Sequence, residues 1–276
     1  MKFINALSLA PDAKDWLINS RHPRILHVFD HACNLINESR EVLSVVTLQI
    51  GNGPFNLVTQ EDILFSDYLN VQSSISIQTD QLIIGDLIIN TAGANLWHPH
   101  PNWESLHSNK ESILSKLASL RFADYRPLLP TSLVSSLSIA LANADIPTAI
   151  PITRQLAGLG QGLTPAGDDF IIGAILAAWI IHPPEIASIL AEEITNIAAP
   201  LTTSLSAACL RSVGKGEVGI LWHEFFNALV FGDPAQIEKT ANNILAIGET
   251  SGADALAGFF GVCMGFNERI IDQCHS

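Results

Sequence analysis

Positive charge is scarce in this chain. Fourteen lysines and arginines face 27 aspartates and glutamates, a formal net charge of -13, which argues against a nucleic-acid footprint or a surface for anionic membranes. An anionic ligand would therefore need a local positive site. Cysteine is sparse as well: Cys33, Cys209, Cys263 and Cys274 are scattered, with no CxxC pair and no His/Cys cluster at zinc spacing. Reduced, non-catalytic thiols and a cytoplasmic setting are the expectation. Long apolar runs are missing too. The longest, 170–181, contains Gly173 and falls short of the roughly 20 residues that span a bilayer, so it reads as a core helix. Residues 1–16 show none of the basic start, long apolar centre and small-residue cleavage site of a secretory leader. What remains is a globular chain of 276 residues, 48% hydrophobic, long enough for one large or two modest domains.

The first hundred residues carry strand signals. Short bursts of β-branched and apolar residues occupy 24–36 and 42–50, a turn follows at Gly51-Asn52-Gly53-Pro54, and 55–59 is again strand-like. Residues 74–78 alternate, and 82–89 reads as two strands about a tight Gly85-Asp86 turn. The region predicts a small antiparallel sheet or barrel. Between 90 and 102, Gly, Pro and Asn are dense and periodicity is lost, which marks a boundary: a β-rich domain over 1–102 and a helical domain over 103–276. Helices are predicted at 104–120, 131–143 (capped by Thr131), 185–198, 202–213, 217–231, 234–247 and 254–271. The fold class is α+β.

The helical part is organised around residues 158–181, GLGQGLTPAGDDFIIGAILAAWII. Three alternating glycines, Gly158, Gly160 and Gly162, lead through Thr164 and Pro165 to Gly167, Asp168 and Asp169, after which the chain turns apolar. That pattern is a loop entering a buried helix, with Thr164 as a cap and Pro165 at a first helical position. A well-capped helix alone does not need three glycines in five residues. A glycine-rich approach to a helix N-terminus suits anions. The pattern has an echo: Gly162, Thr164 and Asp168 recur at the same offsets as Gly248, Thr250 and Asp254, with Ser251 between, and a looser relative, Leu201-Thr202-Thr203-Ser204-Leu205-Ser206, follows Pro200. Hydroxyl residues are also simply good helix caps. Were the three helix starts to converge, they would make a pocket for a carboxylate or a phosphate.

Asp168 and Asp169 lie about a hundred degrees apart on a helix, so one can hold the loop while the other faces the pocket. Carboxylates beside an anion call for an intervening cation, for which Mg²⁺ on Asp168 and Asp169 is the candidate, or for a proton on a general base. Arg154 and Arg211 are the candidate grips on an anion, with Lys215 behind them. His98, His182 and His223 stand alone and read as structural or solvated residues.

The run 158–180 together with GETSGADALAGFFG at 248–261 resembles the AllH-type family, the subunit of oxamate carbamoyltransferase in anaerobic allantoin degradation. The resemblance extends over nearly the full length, in a β-then-helical layout. It implies transfer of a carbamoyl group between oxalurate and phosphate, giving oxamate and carbamoyl phosphate, in an assembly with other subunits. On that reading Asp168 or Asp169 takes the proton from the oxamate nitrogen. Gly160, Gly162, Thr164, Gly167, Thr203, Ser204, Thr250, Ser251, Asp254, Arg154 and Arg211 would bind the small anionic substrate. The alternative is a noncatalytic anion-binding or regulatory subunit of the same kind of complex.

Overall fold

The computed structural model describes residues 1–119 and 129–274, with side chains up to Phe266. It consists of two compact units, Met1–Pro99 and the chain from His100 onward.

The first unit is a nine-stranded sheet that curls into a nearly closed barrel. Its strands are β1 (Lys2–Leu9), β2 (Arg24–Val28), β3 (Ala32–Ile36), β4 (Val42–Val46), β5 (Asn56–Thr59), β6 (Ile75–Gln78), β7 (Gln81–Ile84), β8 (Leu87–Asn90) and β9 (Asn95–Leu96). The order is β2-β3-β4-β5-β1-β8-β7-β6, with β9 beside β1. Most pairings are antiparallel, while β4–β5, β1–β8 and β1–β9 run parallel. The tight turn at Gly85-Asp86 forms as expected, with Gly85 at a φ of 52° joining Ile84 to its partner Leu87. The N-terminal stretch, to which composition assigns no strand, becomes β1, the central strand that joins the two halves of the sheet. Its inward residues Ile4 and Ala6 alternate with outward ones, the period of a half-buried strand. A helix, α1 (Pro11–Asn19), follows, with Pro11 in its first turn. Trp16 is buried from it, its indole N–H donating to the Glu41 carbonyl at 2.9 Å. Leu35, Leu43, Leu57, Leu82, Leu87 and Ile89 fill the core.

The second unit is helical: α2 (Trp103–Ser108), α3 (Lys110–Ser119), α4 (Thr131–Ala142), α5 (Ile146–Leu156), α6 (Ala166–Ile181), α7 (Pro184–Ala198), α8 (Ser204–Gly214), α9 (Ile220–Phe231), α10 (Pro234–Leu245) and α11 (Ser251–Cys274). The helix predicted over 104–120 is two, broken at Asn109, whose side chain turns back onto the Ser105 carbonyl; its predicted end, Leu120, lies outside the described residues. Residues 146–156, unassigned because Pro147 and Pro151 break helical patterns, form α5. Pro147 sits in the first turn, where its missing N–H costs nothing, and Pro151 forgoes one intrahelical bond. Asp145 caps the helix by accepting from the Thr148 N–H at 3.1 Å.

α6 is the axle of this unit. Phe170, Ile171, Ile175, Leu176, Ile180 and Ile181 are all essentially inaccessible to solvent, each such side chain being worth about 2 kcal/mol relative to exposure. α11 is its most extensive neighbour, and the crossing is backbone on backbone. A β-carbon on Gly173 would strike the Ala255 carbonyl, and one on Gly258 the Phe170 carbonyl. Among the described residues no helix is long and apolar enough to cross a membrane.

Candidate functional site

The site is built from three helix starts. α5 ends at Leu156, and residues 157–165 loop over to α6 through Gly158, Gly160 and Gly162, whose φ angles are 72°, 124° and 93°. At Gly158 the left-handed backbone and a close approach coincide, since a β-carbon would lie 2.6 Å from the Leu201 carbonyl oxygen. Pro165, in extended conformation, occupies the cap position of α6, and no side chain caps that helix. The expected cap, Thr164, is engaged elsewhere: its hydroxyl lies 2.9 Å from that of Ser251, the first residue of α11. Thr131 is likewise not a cap, because Pro130 holds that place and α4 begins at Thr131 itself.

Asp168 lies in the first turn of α6 and is wholly buried. One of its carboxylate oxygens accepts the Gly158 N–H at 2.8 Å. The other accepts the hydroxyls of Thr202 and of Ser206, the latter at 2.8 Å. The carboxylate thus ties the glycine loop and the head of α8 to α6. Burial pushes its proton affinity above the ordinary aspartate range, and these three donors pull the other way. Thr203 completes the joint as the cap of α8, accepting from the Ser206 N–H and donating to the Leu163 carbonyl at 2.5 Å.

Asp169 turns to the other side, toward α11. It too is buried, and its Oδ2 has no hydrogen-bond partner. Burial raises its pKa to about 8, the carboxylates of Asp254 and Asp168 adding to the rise and the hydroxyls of Ser251 and Thr164 opposing it. Asp254, one turn into α11, is 3% exposed, and its Oδ2 also lacks a partner. Its affinity for a proton is raised by burial, against the pull of the Thr250 hydroxyl. Cys209 on α8 stands near enough to feel both aspartates of α6. Its thiol is pushed up to about 12, first by burial and then by Asp169 and Asp168, and stays protonated.

The three hydroxyl-bearing helix starts therefore converge, α8 on Asp168 and α11 on Asp169. Not every residue expected here takes part. Gly167 is a packing glycine: a β-carbon would run into the Leu156 carbonyl, and its N–H is used by Leu159 at 2.8 Å. Gly160 and Gly162 lie exposed in the loop, Thr250 is exposed beside α11, and Ser204 opens α8. Arg154 and Arg211 are exposed, Arg211 two turns along α8, about 10 Å from its start. His182 is buried and donates from Nε2 to the Leu141 carbonyl at 2.7 Å, a packing role. Asp168 and Asp169 face different neighbours, and both oxygens of Asp168 are engaged, so the adjacent pair does not form the Mg²⁺ seat expected of it. Among the described residues no three His, Cys, Asp or Glu side chains are grouped to hold a metal.

Thr202 and Ser206 are the hydroxyls that reach Asp168; both belong to the hydroxyl cluster that follows Pro200, from which Thr203 and Ser204 are the residues expected to bind substrate. Thr202, in extended conformation, stands just before the Thr203 cap, and Ser206 lies in the first turn of α8, so both sit at the head of that helix. The more open hollows found in this unit lie elsewhere: one of about 550 Å³ lined by Asn227, Phe231, Gln236 and Lys239, and a smaller one shared by His223 and Phe231.

Residues 156–263 match the family model described as oxamate carbamoyltransferase subunit AllH, and residues 5–96 match the AllH family N-terminal domain. The chain belongs to the AllH family. The first of the two AllH stretches runs from Leu156 to Cys263 and so takes in the glycine loop, the heads of α6, α8 and α11, and all three buried aspartates. The AllH N-terminal stretch covers the barrel from Asn5 to β9. No solved structure matches the chain.

Proposed function

We propose that this chain acts in an oxamate carbamoyltransferase, moving a carbamoyl group between oxalurate and phosphate, and that the heads of α6, α8 and α11 carry its part of the chemistry. The observation that carries the reading is Asp169: a buried carboxyl with one free oxygen, a pKa raised to about 8, and the N-termini of α6 and α11 beside it. A group that titrates near neutrality is suited to move a proton in both directions. In phosphorolysis, a phosphate oxygen attacks the ureido carbon of oxalurate, the bond from that carbon to the oxamate nitrogen breaks, and the proton of Asp169 goes to the departing nitrogen. Carbamoyl phosphate and oxamate result. In the opposite direction the oxamate nitrogen attacks carbamoyl phosphate, gives its proton to Asp169, and phosphate leaves.

Helix N-termini offer N–H groups and the positive end of the dipole to the substrate carboxylate and to phosphate. Thr164, Ser251, Thr250 and the loop at Gly160 and Gly162 are the residues nearest that role, with Arg154 and Arg211 as outer charges. Asp168 is a positioning residue, because its oxygens already hold the loop and α8. Other subunits of the complex would complete the site.

The reading is tested by assaying carbamoyl transfer with the purified chain alone and with its partner subunits. Asp169→Asn is expected to keep the circular dichroism spectrum and to lower kcat by about 10²-fold to 10⁴-fold. Full turnover by the D169N variant in the assembled complex would refute a proton-transfer role and favour a noncatalytic anion-binding subunit.

A further inference from the structure

We infer that the first turns of α6 and α11 form a seat for one hard divalent cation, with Asp169 and Asp254 as its carboxylate ligands and the hydroxyls of Thr164 and Ser251 beside them. Both carboxyls are more than nine-tenths buried, at 6% and 3% exposure, and both leave Oδ2 without a partner. A buried acceptor without a donor is costly, and here two of them occur at one joint. Ser251 and Asp254 are three residues apart on α11 and so share a face. The Ser251 hydroxyl touches that of Thr164, at 2.9 Å, on the approach to α6. The charge of Asp254 is felt at Asp169. Two carboxylates and two hydroxyls thus border the same small volume.

The chemistry of this set selects the ion. All four side chains offer oxygen, and the one thiol nearby, Cys209, stays protonated, which points away from zinc and copper and toward Mg²⁺ or Mn²⁺. Two carboxylates match the charge of a divalent ion. No third carboxylate, histidine or cysteine joins the group among the described residues, so further positions fall to water or to oxygens of an anionic ligand, the usual manner in which Mg²⁺ is held. Asp168 stands outside the seat, its oxygens already taken. Binding the ion expels the proton from Asp169, so the seat goes beyond the carbamoyl-transfer reading as a competitor of its proton-transfer step, and it needs no substrate to test.

The experiment is a titration of the full chain with Mn²⁺, followed by the electron paramagnetic resonance signal of the free ion, with Mg²⁺ as competitor and thermal unfolding in parallel. One Mn²⁺ per chain, displaced by Mg²⁺ and accompanied by a raised midpoint, is expected. Asp254→Asn should weaken Mn²⁺ binding at least about tenfold by removing one of two ligand charges. Ser251→Ala, which keeps both carboxylates, should weaken it by a smaller factor, and the exposed Glu238→Gln should leave it unchanged. Ser251→Ala keeps the test valid should the Asn variant not fold. Absence of Mn²⁺ binding at millimolar concentration overturns the proposal, as does equal affinity in D254N, S251A and the parent chain. Failure of the metal-free parent complex to transfer a carbamoyl group, with Mn²⁺ binding intact, would count against the transfer reading alone.

Discussion

Asp168 and Asp169 are neighbours on the first turn of one helix, yet they sit in opposite surroundings. On the α8 side, Asp168 meets three donors, from Gly158, Thr202 and Ser206. On the α11 side, Asp169 meets another carboxylate and two hydroxyls and keeps an oxygen free. A fully bonded carboxylate makes a strut, whereas one short of donors is available to a proton, an ion or a ligand. The difference follows from helix geometry: a step of about 100° per residue sends adjacent side chains to different partners.

The largest loss should come from breaking the strut. Asp168→Ala leaves a backbone N–H and two hydroxyls without their acceptor, and a loss of about 3–5 kcal/mol is expected in urea unfolding. A loss below 1 kcal/mol would mean that the α8 joint holds without it.

The opposite sign is expected on the other side. Asp169 has a folded pKa of about 8 against an ordinary 3.8. Below about pH 4 both folded and unfolded chains carry the proton, and the group does not affect stability. As pH rises toward 8 the unfolded chain ionises while the native one keeps its proton, so native stability falls across that window. Asp169→Asn should therefore exceed the parent by up to about 6 kcal/mol near pH 8.5 in the absence of added divalent ions and match it near pH 4. Parallel pH profiles for the two proteins would contradict this.

The smallest contrast lies in the loop. Gly158→Ala combines a positive φ with a collision at the Leu201 carbonyl, while Gly162→Ala meets open space. Losses of about 2 and about 1 kcal/mol are expected, the latter from the left-handed backbone alone. Calorimetric midpoints in the reverse order would show that the loop is free to rearrange.

Much of this was legible in the chain itself. The shift from β to α near residue 90, the Gly85-Asp86 turn and the heads of α6, α8 and α11 carry local signals: dense glycine, alternation, and hydroxyls before apolar runs. What was hidden depended on distant partners. β1 carries only a weak alternation, with Ile4, Ala6 and Ser8 marking its inward face, and what makes it central is its pairing with β5 and β8. α5 was masked by Pro147 and Pro151, which tertiary packing and the Asp145 cap tolerate. Thr164 had the composition of a cap but reaches Ser251, 87 residues away. Thr202 and Ser206 gained their meaning only when α8 was set against Asp168.

At Gly173 and Gly258 α6 and α11, the two longest helices described, meet with nothing but main chain between them. Side chains can change rotamer to absorb a shift, but main chain cannot. The spacing between the first turns of α6 and α11 is thereby gauged by a rigid spacer a few residues downstream. The gap between Asp169 and Asp254 is thus set first by the helix crossing and only then by the loops that lead into those turns. By the same token, a single methyl group added at either glycine would act at a distance, prising the pair apart from a position that touches neither.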